Sequence, residues 1–168
     1  LYMDPGLAFG SGEHPTTELC LEWLTGQQLR SKSVLDYGCG SGILGIAASL
    51  LGARSVCVDY DQQALVATEQ NAEFNELSKN ELTVMHSSKL SLEEYRGYFD
   101  VILANILAKP LIDLSQTMIN LLAPGGKIVL SGVLEEQVDW VAESYKELSF
   151  EKILVKEGWV RLEAGKVE

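Results

Sequence analysis

Hydrophobic positions along this chain change period several times, from short near-continuous blocks to stripes spaced three and four apart and back. Ser33 to Tyr37 and Ser55 to Asp59 are short runs rich in β-branched residues. Between them, Gly42 to Leu51 places Ile43, Ile46, Ala47, Leu50 and Leu51 on one helical face, so the three segments predict a βαβ unit. A helix from about Gln62 to Asn75 and a strand from Leu82 to His86 follow. Tyr98 to Ala104 is almost uninterruptedly apolar, the pattern of a parallel strand buried on both faces at the centre of a sheet. Leu111, Leu114, Met118, Leu121 and Leu122 predict one helix, stopped by Ala123-Pro124-Gly125-Gly126 ahead of a strand from Lys127 to Ser131. Val138, Val141, Ala142, Tyr145 and Leu148 mark a last helix. Phe150 to Val155 and Trp159 to Glu163, around Lys156-Glu157-Gly158, predict a hairpin. Upstream of all these, Leu19, Leu21, Trp23 and Leu24 predict a helix that opens near His14 or Pro15, ends at Gly26 and covers one edge of the sheet. The whole alternation predicts an open, doubly wound α/β sheet of about seven strands, mostly parallel and closed by an antiparallel hairpin. Ligands of such sheets bind at the carboxyl ends of the strands.

Asp36-Tyr37-Gly38-Cys39-Gly40-Ser41-Gly42 sits at the first strand-to-helix junction. Glycines at 38, 40 and 42 have no Cβ to hold a ligand away, so the turn is expected to lay its backbone N–H groups and the positive helix end against cofactor atoms. Gly40 to Gly45 also satisfies the dinucleotide pattern GxGxxG, and Asp59 lies 19 residues beyond Gly40, where a ribose carboxylate belongs. A nicotinamide cofactor is therefore a legitimate reading. Asp36 opposes it: a carboxylate there repels a pyrophosphate and attracts an ammonium or sulfonium, which favours S-adenosylmethionine. The two carboxylate oxygens of Asp59 can then accept from both ribose hydroxyls.

Two further segments carry candidate chemistry. Asp4 to Thr17 is glycine-rich yet apolar at Leu7, Ala8 and Phe9, so residues 1–17 are expected to fold over the cofactor as a lid. Thr16 and Thr17 suit a helix cap as well as a ligand contact. Asn105 directly follows the apolar strand, and its amide oxygen can accept from a substrate amine, pointing the nitrogen lone pair at a methyl group. His14 has no second His or Cys at ligand spacing, so no metal is expected.

Composition narrows the setting. A net charge of −11 argues against a broad phosphate-binding surface, so no direct nucleic-acid contact is expected. No apolar run reaches the ~18 residues of a membrane span. Three cysteines, Cys20, Cys39 and Cys57, form no CxxC pair and are expected to be buried thiols in a reduced, cytoplasmic setting. The chain opens on Leu1 and enters a motif at once, which reads as a piece of a longer protein.

Residues 1–17, Asp36 to Leu44 (Asp-Tyr-Gly-Cys-Gly-Ser-Gly-Ile-Leu) and Ala104 to Ala108 (Ala-Asn-Ile-Leu-Ala) together resemble the methyltransferases that modify large-subunit ribosomal protein eleven. Leu130-Ser131-Gly132-Val133-Leu134 and Trp159 fit as well, so the resemblance spans essentially all 168 residues. It implies a Rossmann-like class I fold in a single domain, S-adenosylmethionine as methyl donor and S-adenosylhomocysteine as product. It also implies cofactor contacts at Thr17, Gly38, Asp59 and Asn105, with Asn105 beside the transferred methyl. Together with Asp36, Gly40 and Gly42 from the turn, these are the expected site residues. The implied substrate is that ribosomal protein, methylated on lysine ε-amino or N-terminal α-amino groups. The amino-terminal recognition domain that the family carries is expected to lie outside this chain.

Departures from the family pattern are Ser11 and Glu13, where threonines are usual, and Ser87-Ser88, where many class I methyltransferases place an Asp for the adenine amine. No residue is an obvious general base; His14 and Glu13 qualify by position alone, and proton loss to water accounts for the step equally well. The competing classes are a small-molecule methyltransferase on the same scaffold, a nicotinamide-dependent oxidoreductase and a non-enzymatic cofactor-binding module.

Overall fold

A computed structural model describes residues 1–3 and 13–168. Most of the expected lid therefore lies outside the described residues. Seven strands form one sheet in the order β3-β2-β1-β4-β5-β7-β6. β1 (Ser33–Tyr37), β2 (Arg54–Asp59), β3 (Leu82–His86), β4 (Phe99–Asn105) and β5 (Leu122–Leu134) run parallel. β7 (Trp159–Gly165) inserts antiparallel between β5 and β6 (Ser149–Lys156). The doubly wound sheet with its antiparallel closure is the architecture the alternation predicts, and β4 does lie at its centre.

The two faces of β4 feed two cores, as period-two alternation requires. Val101 and Leu103 join Val34 and Val129 beneath α1 (Pro15–Thr25) and α2 (Ile43–Leu50). Ile102 and Ala104 join Leu35, Ile128 and Leu130 beneath α4 (Ala108–Asp113), α5 (Ser115–Leu121) and α6 (Val138–Ser144). A smaller cluster of Cys39, Ile46, Cys57, Ala72 and Leu82 seats α2 and α3 (Gln62–Phe74) over β2 and β3. Each fully buried aliphatic side chain contributes about 1.5–3 kcal/mol of transfer free energy. All three thiols are buried and unpaired in disulfides, as expected.

Four expectations need correction. The helix predicted from Leu111 to Leu122 is two short helices, because Leu114 leaves helical geometry (φ −95°, ψ 3°) and the restart includes the weaker helix formers Ser115 and Thr117. Ala123-Pro124-Gly125-Gly126 does not separate helix from strand. It forms a wide irregularity inside β5, where Leu122 already pairs with Phe99 before Lys127 resumes opposite Val101. Finally, α1 covers more than an edge: it lies across β4, β5 and β7 and reaches the edge strand β6. The last helix is also shorter than its stripe, ending at Ser144 with Tyr145 and Leu148 still buried beyond it. The hairpin turn is as predicted, with Glu157 at φ 51° and Gly158 at φ 80° supplying the two left-handed residues of a tight connection.

Candidate active site

The order β2-β1-β4-β5 sets four strands side by side, and towards their carboxyl ends stand polar residues: Asp59 and Asn105 as the last of β2 and β4, Asp36 next to last in β1, and Ser131 in β5 opposite Asn105. The sheet reverses direction of progression between β1 and β4, so this is the switch-point crevice where ligands of such folds collect.

The glycine turn is wound tightly at the end of β1. Gly38, Gly40 and Gly42 have φ of 75°, 55° and 83°, a left-handed series that side chains resist. α3 braces the turn from behind: Thr68 Oγ1 donates to the Gly40 carbonyl at 3.0 Å, and Asn71 Nδ2 donates to the Ser41 carbonyl at 2.9 Å. Four of the turn's amides are already engaged by the protein. Gly38 N and Cys39 N donate to the Val58 carbonyl, Gly42 N to the Cys39 carbonyl, and Gly40 N to Asp59 Oδ2 at 3.0 Å. The expectation that these N–H groups face the cofactor is thereby corrected: β2 lies alongside and takes up three of them, and the turn itself takes the fourth. What the turn offers a ligand is bare Cα surface, which suits a nucleoside better than a pyrophosphate.

Asp59 is buried at the end of β2, its Oδ1 accepting from Asp61 N and its Oδ2 from Gly40 N, both at 3.0 Å. Carboxylate oxygens have further lone pairs, and Asp59 shares the wall of a cavity of about 330 Å³ with Tyr37, Gly38, Tyr60, Ser87 and Ile106. The residues fit an adenosyl group: a carboxylate for vicinal hydroxyls, an open glycine and aromatic and aliphatic surface for a flat base. Ser87 stands on this wall where an acidic partner for the base is common.

Asp36 is deeper. Its Oδ2 accepts from Gly45 N at 2.9 Å, tying β1 to α2. Burial pushes its carboxyl up to about 7; the Gly45 hydrogen bond opposes this and the charge of Asp59 adds to it. Near neutral pH Asp36 is therefore a partly protonated strut, a weaker attraction for a sulfonium than a full carboxylate.

Asn105 ends β4, half-buried, and its Nδ2 donates to Thr17 Oγ1 at 3.3 Å. Thr17 is fully buried in the first turn of α1, whose N-cap is His14: the His14 ring Nδ1 accepts from Thr16 N and lies 2.8 Å from Thr16 Oγ1. Asn105 lines two cavities at once. A small one of about 40 Å³ is shared with Thr17, Asp36, Gly38, Cys39 and Gly40. A larger one of about 380 Å³ is shared with His14, Thr16, Ile106, Leu107 and Trp159. The His14 ring meets Trp159 edge to face, with centroids 5.2 Å apart. Glu13 is exposed.

Thus Thr17, Asp36, Gly38, Gly40 and Asn105 converge on one small cavity, and Asp59 joins through Gly38. Gly42 does not converge with them, because it faces Thr68 and its missing Cβ makes room for α3. Ser131 and Gly132, which the sequence offered only as part of the resemblance, also belong beside the site. Ser131 Oγ donates to the Thr16 carbonyl at 3.3 Å, and Gly132, at φ 85°, lets β5 pass so close to the Ile106 carbonyl that a Cβ would collide with it. A serine and a glycine ending the apolar run Ile128-Val129-Leu130 were the available signal. Among the described residues no His, Cys, Asp or Glu cluster could hold a metal ion, and no helix is long and apolar enough to cross a membrane.

Known proteins match this chain in sequence and in fold. The family model described as Ribosomal protein L11 methyltransferase (PrmA) matches residues 1–167. The Ribosomal protein L11 methyltransferase of Methylococcus capsulatus is 53% identical over 95% of this chain and 54% of its own length. That of Teredinibacter turnerae is 49% identical over 95% of this chain and 53% of its own. This chain spans about half the length of these curated relatives. Among solved structures, the ribosomal protein L11 methylase of Lactobacillus delbrueckii subsp. bulgaricus superposes with a TM-score of 0.85 at 30% identity, covering 99% of this chain and 84% of the other. The chain belongs to the ribosomal protein L11 methyltransferase family.

Proposed function

We propose that this chain is the catalytic part of an S-adenosylmethionine-dependent protein N-methyltransferase whose substrate is ribosomal protein L11, modified on lysine ε-amino or N-terminal α-amino groups. The observation that carries the reading is the position of Asn105, between the small cavity under the glycine turn and the larger cavity walled by Trp159 and His14. With Nδ2 committed to Thr17, its amide oxygen is oriented to accept from an amine entering the larger cavity.

When bound, S-adenosylmethionine supplies an electrophilic methyl group on a sulfonium. Asp59 would hold the ribose hydroxyls, and Tyr37, Tyr60 and Ser87 would flank the base. A free lysine is less than ~0.1% neutral at pH 7, so the amine must lose its proton first. Ile106, Leu107 and Trp159 make the larger cavity largely apolar, and burial against them lowers the pKa of an entering ammonium. No carboxylate lines that cavity among the described residues, which favours proton loss to water over a carboxylate base. Asn105 then accepts one remaining N–H and aims the lone pair, an orientation effect worth several powers of ten in rate.

The test is calorimetric titration with S-adenosylmethionine, S-adenosylhomocysteine and NAD, followed by mass spectrometry of ribosomal protein L11 incubated with the methyl donor. The expected result is micromolar binding of both adenosyl compounds and slow methylation, because docking of the substrate is proposed to reside in the part of the relatives that this chain does not span. Binding of NAD alone, or no methyl transfer to L11 by either this chain or a full-length relative, would overturn the proposal.

A further inference from the structure

Adenine and its oxo counterpart hypoxanthine present opposite edges to a protein. Adenine has an exocyclic amine beside a bare ring nitrogen; hypoxanthine has a carbonyl beside a ring N–H. A wall with a fixed acceptor and a fixed donor, such as a carboxylate and a backbone amide, tells the two apart. A hydroxyl does not, because it donates or accepts as its partner requires. The cavity of about 330 Å³ that Asp59 shares has a wall of the second kind.

β3 ends at His86, and the chain leaves it through a single turn, Ser87–Lys89. Ser88 N donates to the His86 ring Nδ1 at 3.1 Å, and Ser88 Oγ lies 2.8 Å from the same nitrogen. Since Nδ1 accepts, the proton of the neutral ring sits on Nε2, which donates to the Tyr60 carbonyl at 2.9 Å. His86 thus ties the exit of β2 to the exit of β3. Ser88, so held, is exposed and does not line the cavity, and its amide is no longer a free donor.

Ser87 does line the cavity, half-buried. Its carbonyl accepts from Leu90 N at 3.3 Å, and its hydroxyl makes no hydrogen bond among the described residues. Asp59 is the one carboxylate on this wall among the described residues, and the Gly40 and Asp61 amides orient its two oxygens. The remaining polar side chains of the wall are the phenols of Tyr37 and Tyr60, again hydroxyls. Burial, with the charge of Asp59 added, pushes the Tyr37 phenol up, so it stays protonated.

Taking the adenosyl reading of this cavity as its basis, we propose that Ser87 meets the outer edge of the purine through a hydroxyl that adapts to it, so that the site accepts an oxo purine nucleoside in place of adenosine. The base is then selected by shape and stacking surface, and the rest of the cofactor by its ribose and sulfur ends.

The test is calorimetric titration of this chain with S-adenosylhomocysteine and with its deaminated analogue, S-inosylhomocysteine. The wild type is expected to prefer the adenosyl compound by less than about tenfold, because a hydroxyl pairs with either edge. Ser87→Asp installs a fixed charged acceptor and is expected to raise that preference above about tenfold, through repulsion of the carbonyl and a stronger bond to the amine. Ser87→Ala removes the hydroxyl and is expected to weaken both compounds by about threefold to tenfold, leaving the preference unchanged. A wild-type preference of tenfold or more would overturn the proposal, since a fixed group would then be reading the base. Unaltered binding of both compounds in Ser87→Asp and Ser87→Ala would overturn the assignment to Ser87. Failure of either compound to bind the wild type at all would instead overturn the adenosyl reading on which the proposal rests.

Discussion

Asn105 and Thr17, 88 residues apart, meet through a 3.3 Å hydrogen bond in which the amide of one fixes itself on the hydroxyl of the other. The bond decides which end of the amide faces the crevice. Asn105→Ala is expected to lower the rate of methyl transfer by about 10²- to 10³-fold, the scale of losing one oriented polar group at a reacting centre. Binding of S-adenosylhomocysteine should change by less than about tenfold, since Asp59 and the turn remain. Thr17→Val removes only the anchor and should cost about tenfold in rate. Single-turnover kinetics beside calorimetry separate the two effects, and equal losses in rate and affinity would contradict the assignment.

Asp59 carries two tasks, receiving the Gly40 and Asp61 amides and facing the larger part of the proposed cofactor cavity. Asp59→Asn cannot accept from both amides and also meet two hydroxyls. It is expected to weaken S-adenosylmethionine about tenfold to a hundredfold while the rate at saturation stays within about threefold. Calorimetry with saturation kinetics checks this.

Gly132 and Gly158 share a left-handed backbone, at φ 85° and 80°, but not surroundings. A Cβ at Gly132 collides with the Ile106 carbonyl; at Gly158 nothing lies within 4 Å. Gly132→Ala is expected to cost about 1–3 kcal/mol and to displace the segment after Asn105, reducing transfer. Gly158→Ala should cost about 1–2 kcal/mol, from backbone strain alone, and leave the rate unchanged. Urea denaturation and initial rates on both variants give the comparison.

Asp36 has its carboxyl pushed up to about 7 by burial, against an ordinary value of 3.8. Between those values the folded protein holds a proton that the unfolded chain releases, so this group's stabilising contribution is full below about pH 4. It falls by about 1.4 kcal/mol per pH unit towards pH 7 and is level above that. Asp36→Asn keeps an acceptor for Gly45 N and removes the slope. The difference in unfolding free energy, wild type minus variant, should therefore fall from pH 4.5 to 7 and flatten beyond. A flat difference across that range would refute the assigned shift.

Most of the sheet was legible because the central strands are buried on both faces and the helices between them carry clear stripes; β1, β2 and β4 lie where their apolar runs predict. The site was legible at Asp59 and Asn105, which end strands in plain view. Less legible were features that depend on distant partners. Amides that look available in the glycine turn are taken up by Val58 and Asp59 once β2 lies alongside. Gly42 resembles a ligand contact until Thr68 is packed against it. Ser131 and Gly132 acquire their roles only when β5 pairs with β4, and Ala-Pro-Gly-Gly reads as a stop because local turn chemistry does not reveal that strand pairing continues past it.

The insertion of β7 between β5 and β6 has a kinetic consequence. α1, the first helix described, rests on β7, the last strand described, and Arg161 of that strand reaches back across 142 residues to the Leu19 carbonyl. Thr17, the anchor of Asn105, belongs to that same helix. The helix that anchors Asn105 is thus seated partly by the parallel strands β4 and β5 and partly by β7, so a nascent chain that has not yet delivered β7 holds Thr17 with only part of its final support. Contacts that close so long a loop form slowly relative to local helices and strands, so the β7 part of that support is expected to be among the last to arrive.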